Sequence, residues 1–185
     1  MTDERRVPEN NRLDENDGNR FDRLPPTPAE RTVSGRVSRA ELLEWWDDRY
    51  GMAPEYFDDY TFWEKGAGKI WIFADDTADP IEVEGLGMTF ARTRQRHWKP
   101  TTSAACRFGA HAERNVLVLD GTDAATFARG EDLEVEWDGD WGYLIVAHEM
   151  AGWIEPIGIG LYLHDELQSM IPKGRRESLA VIDAY

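Results

Sequence analysis

The chain has 185 residues, a formal net charge of −15 and a single cysteine, Cys106. That length holds one domain of ordinary size, large enough to bury a core without disulfides or metals. A lone cysteine excludes an internal disulfide framework and fits a reducing cytoplasm, which is the expected location. No apolar run approaches the roughly 20 residues that span a bilayer, and the opening MTDERRVPENN is too polar for a secretory signal. Residues 1–36 hold few large apolar side chains and include the tract LPPTPAE. They read as a disordered arm, or alternatively as a docking tail. Order is expected from Ser38, where SRAE (38–41) makes a capping box. Leu42, Leu43, Trp46 and Tyr50 follow at helical spacing, and Gly51 suits the helix end. APEYFDDY (53–60) predicts a short second helix. TFWEK (61–65) and KIWIFA (69–74) predict a hairpin across Gly66-Ala67-Gly68.

The turn-rich DDTADP (75–80) suggests a boundary, giving a first unit over 37–80 and a second over 81–185. The second opens with a strand in IEVEGLGMTFARTR (81–94). A helix is expected over PTTSAACRF (100–108), entered at Pro100 and closed by Gly109. NVLVLD (115–120), LEVEW (133–137), GYLIVAHE (142–149), EPIGIGLY (155–162) and ELQSMI (166–171) read as strands, with a helical turn at AATFARG (124–130). Many short strands with few short helices predict an α+β fold, a small α-plus-hairpin module followed by a mixed barrel.

The charge is segregated. Acidic residues number 36 against 17 arginines and only four lysines. Acid-rich, lysine-poor chains look like those of salt-loving archaea, whose cytoplasm screens charge strongly; a cationic partner is the competing explanation. From Leu86 to Leu119 the charged side chains are Arg92, Arg94, Arg96, Lys99, Arg107 and Arg114, opposed only by Glu113. From Leu167 to Arg176 there are Lys173, Arg175 and Arg176 with no acid, whereas residues 120–149 carry nine carboxylates and one arginine. If the two basic islands meet, they form a positive groove on a negative body, the electrostatic footprint of a nucleic-acid site. On a strand, Arg92, Arg94 and Arg96 would share a face, and His97 and Trp98 could stack on bases. The other reading pairs these arginines with carboxylates in surface networks. Gly158 and Gly160 share a strand face, which admits either a close approach of a nucleic-acid backbone or a bend at a barrel corner.

The segment GYLIVAHE…EPIGIGLYLHDELQSMIPKGRR resembles the end of the PUA-like RNA-binding domain at the C-terminus of Sun-family RNA 5-methylcytosine methyltransferases. HWKPTTSAACRFG (97–109) resembles that domain's helix entry, and EWWDDRYGMAPEYFDDYTFWEKGAGKIWIF (44–73) resembles the pre-PUA module that precedes such domains in archaea. Together these span about 38–176. The resemblance implies a pseudobarrel holding structured ribosomal or transfer RNA, with Gly158 and Gly160 letting the RNA backbone approach. The methyltransferase body is absent: no glycine-rich cofactor loop follows a strand, and Cys106, in an apolar helix, reads as a small buried hydrophobe rather than a nucleophile. The four histidines lack metal-ligand spacing, and KGAGK (65–69) lacks the phosphate-loop pattern. Trp45, Trp46, Trp63 and Trp71 are core candidates. The expectation is therefore a non-catalytic, cofactor-free RNA-binding protein. Its RNA contacts would be Arg92, Arg94, Arg96, Lys99, Gly158, Gly160, Lys173, Arg175 and Arg176. It would act in ribosome assembly or as the targeting partner of a modification enzyme. The alternative is a subunit that docks on a methyltransferase or ribosomal protein without touching RNA.

Overall fold

A computed structural model describes residues 18–179. The first helix, α1 (Arg39–Tyr50), begins as its sequence dictates. Ser38 accepts from the Glu41 amide while the Glu41 carboxylate accepts from the Ser38 amide. Arg31 also pairs with Glu41. That guanidinium, more than the Ser38 contacts, draws the Glu41 carboxyl down to about 2. The helix stops at Gly51, whose φ of 68° is the left-handed conformation that glycine adopts without strain. Leu42, Leu43, Trp46 and Tyr50 are all buried. The expected second helix is one 3-10 turn, Pro54–Phe57.

Two five-stranded sheets make an α+β fold, one sheet curled into a half-barrel. The first is an antiparallel meander of β1 (Asp22–Arg23), β2 (Thr61–Glu64), β3 (Lys69–Phe73), β4 (Met88–Arg92) and β5 (Lys99–Pro100). Its β2–β3 hairpin turns at Gly66-Ala67-Gly68. The second is mixed. It has the order β6 (Val116–Leu119), β8 (Gly142–Met150), β9 (Trp153–Leu163), β10 (Glu166–Ser169) and β7 (Leu133–Glu134), with only β6–β8 parallel. Helices α2 (Thr102–Phe108) and α3 (Gly121–Ala128) start at Thr101 and Asp120, whose side chains accept from Ala104 and Asp123 amides. The basic C-terminal run forms α4 (Lys173–Leu179).

The main core joins both sheets. Phe62, Ile70, Ile72 and Phe90 of the first meet Ile145 and Ile159 of the second, with Trp46 of α1 and Phe108 of α2 between them. A second core lies on the other face of β8–β9, where Phe127 and Ala124 of α3 pack on Leu144, Val146, Tyr162 and Leu167.

Two expectations are corrected here. The boundary at 80/81 is not one: β3 pairs with β4 across it, Ile70 opposite Ala91, and both units feed one core. The arm over 1–36 is ordered from residue 18 onward, while 1–17 lie outside the described residues. Phe21, Leu24 and Val33 are buried, and Phe21 exchanges backbone hydrogen bonds with Ile81. A charge cluster fixes the same segment. Arg36 donates to Glu64 at 2.6 Å and to Asp22 at 2.9 Å, all three side chains being at most 10% exposed. Glu64 also accepts from the Gly68 amide at 2.8 Å. Three apolar side chains and one guanidinium do the work that composition alone assigns to a longer hydrophobic run.

Candidate functional site

The antiparallel register sets Arg92 of β4 directly opposite Lys99 of β5. Lys99 reaches over to the end of the chain: its Nζ lies 3.2 Å from Met170 Sδ and 5.8 Å from the centre of the Tyr143 ring. Arg175, on α4, donates to Ser103 Oγ of α2 at 2.8 Å. The two basic islands therefore meet. Arg92, Lys99, Thr101, Ser103, Met170 and Pro172 line a groove of about 330 Å³ between them. Burial, and secondarily the Arg92 charge, lowers the proton affinity of Lys99. Among the described residues, no carboxylate forms an ion pair with Arg92, Arg96 or Lys99. By contrast, Arg20, Arg23, Arg31, Arg36, Arg39, Arg49, Arg114 and Arg129 all have acidic partners. Of the island arginines, Arg114 pairs with Asp47 as the surface-network reading expects, whereas Arg92 and Arg96 make no such pair among the described residues.

A second, larger cleft of about 710 Å³ lies near Lys99, with Tyr143 in its wall. Trp45, His97, Trp98, Trp141 and Tyr143 form its aromatic walls, with Leu161 and Leu163 as floor and Arg49 and Arg96 as its charged groups. Trp45 and Arg49 are one helical turn apart on α1, at the edge of its core face. The Trp45 and Trp98 rings stand 5.6 Å apart. Arg49 acts as a strut. It donates to the Trp141 and Tyr143 carbonyls at 3.0–3.2 Å and lies 3.7 Å from Asp140, tying the turn that carries Trp141 to α1. The Tyr50 hydroxyl also donates to the Tyr143 carbonyl, and burial raises its pKa.

The remaining expected contacts are dispersed. Strand β4 ends at Arg92, so Arg94 and Arg96 sit in the β4–β5 loop and do not share its face. The Arg94 stem lies over Gly68, where a Cβ would come within 2.3 Å of it. Lys173 is exposed at the start of α4, near the groove mouth at Pro172. Arg176 turns away: its Nε donates to the Ile171 carbonyl, and its guanidinium covers Gly130. Gly158 and Gly160 are buried. A Cβ on Gly158 would meet Ile171 and Phe127, and one on Gly160 would meet Leu167 and Val146. Their missing side chains accommodate the second core, so they are withdrawn as RNA contacts. Cys106 is exposed on α2 rather than buried. Trp45 packs against the main core, as expected, and also forms a wall of the cleft. Tyr143, Trp141 and Arg49 were missed; an exposed tryptophan in the turn DGDWG was the available signal. No group of three or more His, Cys, Asp or Glu among the described residues is placed to hold a metal.

Residues 5–87 match a family of unknown function (DUF7122). The match takes in the Arg36 cluster, α1 and the β2–β3 hairpin, and stops one residue before β4 and the groove. No curated protein matches the chain.

Proposed function

We propose that this is a non-catalytic RNA-binding protein of the cytoplasm. It acts on structured ribosomal or transfer RNA, in ribosome assembly or as the targeting partner of an RNA-modification enzyme. One observation carries the reading: Arg92 and Lys99 stand side by side, without carboxylate partners among the described residues, on a chain of net charge −15. Like charges held together and left uncompensated oppose folding, which is understandable if a polyanion neutralises them. Arg175 and Lys173 extend the positive path along α4, and Arg96 extends it toward the aromatic cleft. The resemblance of 97–109 and 142–176 to PUA-like domains supports the same reading.

The test is binding of labelled total transfer RNA and ribosomal RNA fragments to the full chain, with a salt series. Arg92→Glu together with Lys99→Glu is expected to weaken binding at least tenfold. The paired alanine variant should reduce the salt dependence by roughly 0.7 per lost phosphate contact on single-stranded RNA. Unchanged affinity in the charge-reversed protein would overturn the assignment. A second reading, docking on a methyltransferase or ribosomal protein, has its own observation. Trp153 and Ile154 at the tip of the β8–β9 hairpin are 73% and 45% exposed. Capture of a protein partner that survives nuclease and is lost in Trp153→Ser would favour it.

A further inference from the structure

We propose that the aromatic cleft is a pocket for one unpaired RNA nucleotide, so that the protein selects RNA with a base free to leave its stack. The inference rests on the RNA-binding reading above and assigns the cleft a separate role. Its walls are flat rings from three different elements: Trp45 from α1, Trp98 from the β4–β5 loop, and Trp141 and Tyr143 from the start of β8 and the turn before it. A volume of about 710 Å³ accommodates a nucleotide with space for its sugar. Stacking on aromatic rings contributes to binding whatever the base, because every base presents a π face.

Charge decides which flat ligand fits. A cage of tryptophans and a tyrosine could also hold a quaternary ammonium. Here, however, the charged lining residues are Arg49 and Arg96, with no carboxylate in the wall. The Arg96 guanidinium, not offset by an ion pair among the described residues, disfavours a cation and suits a group bearing phosphate. Arg49 is committed to the Trp141 and Tyr143 carbonyls and to Asp140, so it fixes the wall. Arg96 makes no ion pair among the described residues and is the phosphate ligand at the rim. Proximity supplies the last element. Lys99 lines the groove and holds its Nζ 5.8 Å from the centre of the Tyr143 ring in the cleft wall. A backbone lying over Arg92 and Lys99 therefore brings its next base to the mouth of the cleft. The recognised feature is a bulge or loop nucleotide beside a paired stem.

The division of labour has a consequence in strong salt. Phosphate contacts weaken as counterion release loses its gain, whereas stacking does not depend on it. The cleft should therefore account for a growing share of affinity as salt rises.

The experiment compares two labelled hairpins, one fully paired and one carrying a single unpaired adenosine, binding to the full chain in molar potassium chloride. The native protein is expected to favour the bulged hairpin by roughly tenfold, as one stacked base provides. Trp141 is 59% exposed and outside the core, so Trp141→Ala should fold normally and lose the preference, and Trp141→Phe should restore most of it. Trp98→Ala, checked for folding by its melting curve, should behave like Trp141→Ala. Arg92→Glu with Lys99→Glu should weaken both hairpins alike. Equal binding of the two hairpins by the native protein, or a preference that survives both tryptophan variants, would overturn the cleft assignment and leave the RNA-binding reading standing. Failure of the native protein to bind either hairpin or natural RNA would remove both. Binding of an acidic peptide in the cleft in place of RNA would do the same.

Discussion

Arg36 and the Arg92–Lys99 pair carry the same charge and are treated in opposite ways. Arg36 is 8% exposed and donates to two carboxylates that are also buried, closing the N-terminal segment onto β2. Arg92 and Lys99 face each other across an antiparallel pair, with no acid paired to either among the described residues. A chain with 36 carboxylates has no shortage of partners. The contrast separates a cation that serves the fold from cations that the fold merely holds in place. The DUF7122 match includes the first and excludes the second.

The largest effect should come from the buried cluster. Arg36→Met removes the guanidinium that Asp22 and Glu64 share, leaving Arg20 on Asp22, and is expected to cost about 3–5 kcal/mol of stability, with RNA affinity unchanged wherever the protein is folded. Combining it with Asp22→Asn and Glu64→Gln should recover most of the loss, because the uncompensated charges are then gone. Thermal melts of the two proteins check this. A single variant with unaltered melting temperature would show that Arg36 is not a clasp, and the contrast would fail from that side.

The next effect separates interior from surface in the second core. At Gly160 an added methyl meets Leu167 and Val146, both fully buried. Gly160→Ala should destabilise by about 1–3 kcal/mol through overpacking and leave RNA affinity of the folded protein intact. A stable variant with weakened RNA binding would return the glycine to the binding surface.

The same division explains what could be read from the sequence. Local signals were legible because few side chains fix them: the Ser38–Glu41 box, the stop at Gly51 and the hairpin between Gly66 and Gly68. So were the two basic islands themselves, since acid-poor stretches in so acidic a chain stand out; that they meet came from the structure. Four things needed the third dimension. The 18–36 segment is held by residues drawn from 14 to 60 positions away, Glu64 and Ile81 among them. The alternation of Arg92, Arg94 and Arg96 implied one face only while the strand lasted, and β4 ends at Arg92. Gly158 and Gly160 advertise space, but only packing tells whether a ligand or Leu167 fills it. The aromatic cleft draws on Trp45, Trp98 and Trp141, positions 43 to 53 residues apart in sequence, and no spacing rule connects them.

The smallest effect tests the other side of the contrast. Lys99 is pushed toward the neutral form by burial first and by Arg92 second. Its charged form therefore opposes folding. The unfolded chain keeps the lysine proton up to about pH 10.4, whereas the folded protein releases it earlier. Between those two values the unfolded state binds more protons, so stability rises with pH there, and below that window the penalty is present in full. Lys99→Met keeps the stem that packs beside Met170 and Tyr143 while deleting the charge. It should be more stable than the native protein at neutral pH by about 0.2–1 kcal/mol, the scale of a directly opposed like-charge pair, and it should lose the alkaline rise. The gain should shrink as salt screens the Arg92 repulsion, so melts belong at the lowest salt at which the protein stays folded. RNA affinity should fall in the same variant. A methionine protein less stable at neutral pH would mean that Lys99, like Arg36, is held for the fold, and the argument for a polyanion over the groove would lose its physical basis.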